Sequence, residues 1–296
     1  MIGLSQGISR FLAPLALIGL TACASHAADD GYANKQLLTD TETLHVMIET
    51  GPVNIVDVRP KEAYDKGHIP GAVHLGADDV VDPDAHVDGD LLPHATLVRM
   101  LGERGIDKDT PVVFYDDKGG FHAARLFWMV EYFGHRQASV LNGGFPKWVA
   151  EDRKVSTRAP KVKETSFAYT RTPRRHATAD WLLDRQGDDS VVVIDVRPSK
   201  LYNDGHIPWA QSIPWKQNLA EDGTLKPAAE LLKHFASHGV TPDRNVAVHC
   251  QVGKAAAHTY LTLRVLGYPR VRSYDRSWAE WGKADDLPKS AAELGG

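Results

Sequence analysis

Apolar residues in this chain gather in short, β-branched or aromatic runs separated by longer amphipathic stretches. Asn54–Val58 and Val112–Tyr115 are runs of the length and composition of buried strands, and Val140-Leu141 marks a third that ends in Asn142-Gly143-Gly144. The spacing predicts helices between them: a short one toward Ile48, opened by the Thr-x-x-Glu capping pattern of Thr39-Asp40-Thr41-Glu42, one through Leu97–Arg104 and one from His122 to Phe133. The residues after Val58 read as turn-rich. Strands alternating with helices imply a parallel sheet covered on both faces, an α/β fold. In such sheets, sites form where strand C-termini meet helix N-termini.

The pattern occurs twice. NIVDVRPKEAYDKGHIPGAVHL (54–75) is matched by VVIDVRPSKLYNDGHIPWAQSI (192–213), with Asp57-Val58-Arg59-Pro60 and Asp195-Val196-Arg197-Pro198 lying 138 residues apart. PVVFYDDKGGFHAARLFWMVEYFG (111–134) aligns with RNVAVHCQVGKAAAHTYLTLRVLG (244–267) at a spacing of 133, which Trp148 and Trp281 keep. A period this long is a duplicated domain, not a solenoid unit. The halves run over 36–150 and 174–285, joined by a Lys-, Arg- and Thr-rich linker (151–173) and followed by a tail (286–296). The composition, 43% hydrophobic and 24% charged, is that of a soluble globular chain of two domains. A net charge of −4 gives no reason to expect nucleic acid as a partner.

Residues 1–27 stand apart. Arg10 is followed by FLAPLALIGL, the length of a signal-peptide h-region and too short to span a bilayer. Two processing sites fit: Leu20-Thr21-Ala22-Cys23, which resembles a bacterial lipobox with Cys23 as the lipidated residue, and Ser25-His26-Ala27, an ordinary small-x-small site. Either exports the protein to the periplasm; the first adds a lipid anchor to a membrane. Both remove or block one of the chain's two cysteines, leaving Cys250 as a lone thiol in an oxidising compartment.

Cys250 follows the apolar run of the second half and precedes a helix. The nucleophilic form of cysteine is the thiolate, and a helix N-terminus or nearby cations favour it. The turn Cys250-Gln251-Val252-Gly253-Lys254-Ala255 is short enough to aim successive backbone N–H groups at the sulfur, with Gly253 supplying backbone freedom and Lys254 a positive charge. Gapless alignment sets Asp117 at the equivalent place in the first half, which lacks comparable sulfur chemistry.

Taken together, the duplicated Asp-x-Arg, the Gly-His-Ile-Pro-Gly-Ala segment (67–72), the six-residue loop begun by Cys250 and the closing Trp278-Ala279-Glu280-Trp281-Gly282 resemble the rhodanese family of tandem-domain sulfurtransferases. The resemblance covers nearly the whole mature chain. It implies two rhodanese-like α/β domains, each a parallel sheet flanked by helices, with the N-terminal domain inactive and the C-terminal one catalytic. It implies sulfur transfer from a small anionic donor, thiosulfate or 3-mercaptopyruvate, through a Cys250 persulfide to cyanide or a thiol, with no metal and no cofactor. Arg197 and Lys254 become expected contacts for the donor, and Phe121 an expected pocket wall from the first domain. A persulfide carrier serving a dedicated protein partner is the alternative. The oligomeric state has no signal in the chain.

The loop departs from the family's common forms. C-Q-V-G-K-A matches neither the C-R-K-G-V-T of thiosulfate-selective members nor the C-G-S-G-V-T of mercaptopyruvate-selective ones, and Asp275-Arg276 stands where the first half has Asn142-Gly143, so that turn is expected to be reshaped. A Cys-dependent phosphatase needs His-Cys-x5-Arg to grip an oxyanion; Ala256 occupies the arginine position. His249 beside Cys250 has no further ligands at metal-binding spacing, and the acidic stretch 78–90 lacks a Ca²⁺-loop pattern and reads as a solvated loop.

Overall fold

The computed structural model describes residues 30–291 and the pair at 2–3. The leader with Cys23 and the last residues of the tail lie outside the described residues.

The first half contains β1 (Leu38–Thr39), α1 (Thr41–Thr50), β2 (Asn54–Asp57), α2 (Lys61–Lys66), β3 (Val73–His74), α3 (His94–Glu103), β4 (Val112–Tyr115), α4 (Ala123–Tyr132), β5 (Ala138–Leu141) and α5 (Gly144–Ala150). Its sheet has the order β1-β5-β4-β2-β3 and is parallel throughout. The second half contains α6 (Ala179–Leu183), β6 (Val191–Asp195), α7 (Ser199–Asp204), β7 (Ala210–Ser212), α8 (Ala228–Ala236), β8 (Asn245–His249), α9 (Lys254–Val265), β9 (Val271–Ser273) and α10 (Ser277–Trp281), with a parallel sheet ordered β7-β6-β8-β9. The two α/β units expected from the repeat are therefore present, each a parallel sheet flanked by helices.

Local structure departs from the sequence reading in two places. The cap of α1 is Asp40, not Thr39: its carboxylate accepts the Thr43 N–H at 2.6 Å, whereas Thr39 belongs to β1 and its hydroxyl bonds Ser139 at 2.6 Å. The stretch after Val58 is ordered around the duplicated motif and includes α2 and β3. Arg59 forks onto the carboxylate of Asp57 and donates to Gly67 O at 2.6 Å. His68 stacks on Tyr64 with ring centroids 3.9 Å apart, its Nδ1 2.9 Å from Tyr64 O. The second half repeats each contact: Arg197 on Asp195 and Gly205 O, and His206 stacked on Tyr202 at 3.8 Å. The motif is thus a clamp that ties the end of the first central strand to the turn before the edge strand.

The two units share one core. Helices α4 and α9 are buried on nearly every face, polar residues such as Arg125, His258, Thr259 and Thr262 included, and they pack against each other across the domain interface. The main apolar cluster runs without a break from Val56, Phe114 and Phe127 to Leu263, Val248 and Ile194. Smaller clusters around Trp148 and Trp281 cover the outer faces of the two sheets. The linker is ordered along the first unit: Thr165 and Thr170 donate backbone bonds to Gly102 O and Phe133 O, and Phe167 is buried.

Helix α9 also buries a titratable group at this interface. His258 is 1% exposed; its Nε2 donates to Gly119 O of the first unit at 3.0 Å, and Trp215 meets its ring edge-on. Burial drives its pKa down to about 4. An unfolded chain takes up a proton on this histidine below about pH 6.5 and the folded chain does not, so stability falls as pH drops from about 6.5 to about 4 and this contribution levels off below that. A His258→Gln variant should show a flatter acid limb in urea unfolding, the difference reaching up to about 3 kcal/mol at the acid end. An acid limb parallel to that of the parent would remove His258 from the account.

Candidate active site

Cys250 terminates β8. Its partner strand β6 ends at Asp195, which pairs with His249, and the Val196 N–H donates to His249 O at 3.0 Å. The first unit has the same arrangement, with Asp57 paired to Tyr115 and the Val58 N–H on Tyr115 O at 3.0 Å. The strands therefore align His249 with Tyr115 and Cys250 with Asp116. The gapless alignment that chose Asp117 is off by one, because the run from Asp116 to the left-handed Gly120 is one residue longer than the run from Cys250 to Gly253. Asp117 follows the counterpart and is not the counterpart itself.

The corrected pairing is informative. Asp116 is fully buried, and its carboxylate accepts four backbone N–H groups, from Lys118, Gly120, His122 and Ala123, at 2.6–3.1 Å. The turn after the central strand is thus a nest for an anion, filled in the first unit by a permanent carboxylate. In the second unit the sulfur takes its place. Gly253, left-handed at φ 81°, is the equivalent of Gly120 at φ 87°, and its N–H donates to Cys250 Sγ at 3.1 Å. This is narrower than the ring of amides expected from the sequence, since only the Gly253 amide reaches the sulfur with hydrogen-bond geometry among the described residues. Gln251 lies on the loop with its side chain exposed and its carbonyl bonded to the Ala279 N–H, and Ala255 packs inward at the start of α9.

Ser277 supplies what the missing amides do not. Its hydroxyl oxygen accepts the Cys250 N–H at 3.0 Å, donates to Tyr274 O at 2.8 Å and lies 3.9 Å from Sγ. Ser277 is also one of two described non-glycine residues at positive φ (53°), at the place where the first unit has Gly144 (φ 58°). A serine held in the left-handed region is strained, and such strain gathers at functional sites. The turn before it is reshaped as expected, with Arg276 at φ −69° where Gly143 has φ 78°. The 133-residue spacing that sets Ser277 opposite Gly144 is the signal of it that the sequence carries.

Other expected site residues lie as follows. Lys254 begins α9 and extends its Nζ to Asp78 of the first unit at 2.5 Å, and the lysine holds the Asp78 carboxyl below its usual range. Phe121 stands at the interface against Trp215, ring centroids 4.8 Å apart. Arg197 does not meet the expectation of donor contact: its side chain is 3% exposed, its guanidinium is bound to Asp195 and Gly205 O, and Trp278 lies over it at 4.6 Å. Arg59 makes the same contacts under Phe145 in the unit without a thiol, so the role is structural. His249 is buried behind the loop, and burial lowers its pKa, so it is neutral.

The acidic stretch 78–90 is not a solvated loop. It lies as a strap from the first unit over the Cys250 turn. Its Val80 and Val87 are buried, and Gly89 sits so close to Val252 that a Cβ at Gly89 would come within 2.6 Å of the valine Cβ. Asp78 bonds Lys254, Asp88 bonds Lys283 at 2.9 Å and Asp90 bonds Arg276 at 2.8 Å. Beneath it Cys250 is 3% exposed. The even acidity of the stretch concealed this, because the cations it meets lie in the other half of the sequence.

The site is therefore that of an α/β protein carrying Cys250, the free thiol of the described residues, at a strand tip against an anion-binding turn. A family model described as the rhodanese-like domain matches residues 40–151 and 178–284, and the chain belongs to the rhodanese family. It is a sulfurtransferase of the tandem-domain type. It is 32% identical over 286 residues to a sulfur carrier protein, TtuD, of Thermus thermophilus, covering 89% of this chain and 99% of that one. It is 30% identical over 267 residues to a thiosulfate sulfurtransferase of Azotobacter vinelandii (88% and 98%) and 32% identical over 238 residues to a 3-mercaptopyruvate sulfurtransferase of Escherichia coli (77% and 84%). Among solved structures, the wild-type structure of EanB superimposes with a TM-score of 0.81 at 22% identity, over 87% of this chain and 70% of that one, a likeness of fold.

Ser277 can be tested for both of its roles. Ser277→Ala removes the acceptor of the Cys250 N–H and keeps the strained backbone, and should cost about 1–3 kcal/mol in urea unfolding. Ser277→Gly loses the same acceptor but relieves φ, and should be about 1 kcal/mol more stable than the alanine variant. Equal stability of the two would remove the strain argument.

Proposed function

We propose that the protein moves a sulfane sulfur from thiosulfate, with 3-mercaptopyruvate as the second donor, to cyanide or a thiol through a persulfide on Cys250. The observation that carries this is the lone thiol at the tip of β8 with the Gly253 N–H on its sulfur. The Cys250 thiolate attacks the outer sulfur of thiosulfate. The sulfur–sulfur bond of the donor breaks, and sulfite leaves with its electron pair. Cyanide carbon then attacks the terminal sulfur of the persulfide, the Cys250 thiolate leaves, and thiocyanate is released. The cycle closes without an external oxidant or reductant. The amide of Gly253 faces Sγ and favours its thiolate form, the one that attacks the donor.

Lys254 is the donor's electrostatic contact in this reading. Asp78 occupies it in the free protein, and an anionic donor competes with that carboxylate. The named relatives that are thiosulfate and 3-mercaptopyruvate sulfurtransferases support the choice of donors. Similarity to a protein named a sulfur carrier supports the second reading, in which the persulfide passes to a dedicated protein acceptor. For the leader we propose export to the periplasm, with Cys23 as the lipid anchor where the lipobox is used.

The parent protein should form thiocyanate from thiosulfate and cyanide, and Cys250→Ser should form none; equal rates would end the nucleophile assignment. Mass spectrometry after thiosulfate should show one added sulfur on the Cys250 peptide. A persulfide that forms yet turns over only with a protein acceptor would favour the carrier. Lys254→Met should raise the KM for thiosulfate severalfold with kcat within about twofold, and Asp78→Asn should lower that KM. Recovery of envelope protein with an intact Met1 would refute the reading of residues 1–27 as a cleaved signal peptide.

A further inference from the structure

Arg125 has no part in the chemistry described so far. It extends from α4 of the unit without the thiol, is 1% exposed, and crosses the interface to lie against the turn that carries the nucleophile. Its guanidinium fills the space in front of Gly253: a Cβ at that glycine would collide with Arg125 Nη1 and lie 2.5 Å from Asp275 O. Nη2 donates to Gly89 O of the strap at 3.1 Å and stands 3.6 Å from Asp275 Oδ2. Nε and Nη1 are buried without a hydrogen-bond partner among the described residues.

A guanidinium taken out of water with half its donors unused is costly, and such groups persist where they meet a charge. The single carboxylate beside it is distant for an ion pair and is shared with His176, whose Nε2 lies 2.8 Å from Asp275 Oδ1. The positive charge of Arg125 is therefore under-compensated. The Cys250 sulfur lies one hydrogen bond beyond the glycine that the guanidinium covers, 3.1 Å from the Gly253 nitrogen.

We propose that Arg125 is the charge partner of the Cys250 thiolate and persulfide, acting through the Gly253 turn, so that the unit without the nucleophile supplies the cation that sulfur transfer uses. This deepens the sulfurtransferase reading and rests on it. Arg125 is a positioning residue: it braces Gly253 so that the N–H stays on the sulfur, and it sets a positive field in a site closed to water. The other charged or titratable groups around the sulfur are few. Lys254 at the start of α9 turns its Nζ outward to Asp78, His249 on β8 is neutral through burial, Asp275 follows β9, and the strap presents the Gly89 carbonyl.

The test is the pH profile of Cys250 alkylation by iodoacetamide, followed on its own peptide by mass spectrometry. In Arg125→Met the midpoint should rise by about one pH unit, and kcat for thiocyanate formation should fall about tenfold with the KM for thiosulfate within about twofold. Arg125→Lys, which keeps the charge, should recover more than half of the shift. Asp275→Asn should move the midpoint down, since it frees Arg125 of its counter-charge. The turn accommodates an amide there, because Asn142 stands at the equivalent place 133 residues earlier. A profile of Arg125→Met that superimposes on the parent's, with a melting transition within a few degrees, would overturn the proposal. So would an upward shift in Asp275→Asn, which decides the matter if Arg125→Met does not fold. Failure of the parent to take up sulfur from thiosulfate would sink the sulfurtransferase reading instead, and the alkylation profiles would still test Arg125.

Discussion

A negative charge at the buried end of a parallel strand must be matched by something, and the organisation of this molecule follows from how each half matches it. In the first unit the charge is the carboxylate of Asp116, and four backbone amides of its own loop satisfy it. In the second unit the run to the left-handed glycine is one residue shorter and the Cys250 sulfur takes the place of the carboxylate. One amide, that of Gly253, faces it, and the remaining support comes from outside the loop: the strained Ser277 behind it and the first unit in front of it. A site completed by its neighbour needs that neighbour held rigidly.

The shared core provides the rigidity. Helices α4 and α9 follow the two anion turns, and both are buried along nearly their whole length where they pack against each other. Packing these helices brings the two turns to one interface, where Gly119 of one loop receives His258 from the other unit, and Arg125 meets Gly253. The strap 78–90 closes the same interface through ion pairs that are largely solvent-exposed. Pairs of that kind contribute little stability each, so the cover over Cys250 is far less firmly held than the core beneath it.

Duplication also separates structure from chemistry within the motifs. The Asp-x-Arg and Gly-His-Ile-Pro segments make the same hydrogen bonds and ring contacts in both units, including the one with no thiol. They hold the strand end. Where the halves differ, at Asp116 against Cys250, Gly144 against Ser277 and Asn142 against Asp275, the differences cluster around the sulfur. A residue's departure from its internal counterpart is here a better guide to chemistry than its presence in a motif.

The sequence by itself determined the repeat, the α/β class, the strands at Asn54, Val112 and Val140, and the placing of Cys250 at a strand tip before a helix. These depend on local periodicity and on spacing along the chain, both of which are written in order. Only the tertiary structure decided that Asp116 is the counterpart of Cys250, that Arg197 is held in a clamp with Asp195 and Gly205, that the acidic stretch is a strap, that Ser277 holds the Cys250 N–H and that Arg125 lies against the Gly253 turn. The counterpart of Cys250 depends on strand register, the Arg197 clamp and Ser277 on contacts folded within the second unit, and the strap and Arg125 on side chains more than a hundred residues apart meeting across the interface. Charge and burial at such points are properties of the packed pair of domains, and no window of the linear chain contains both partners.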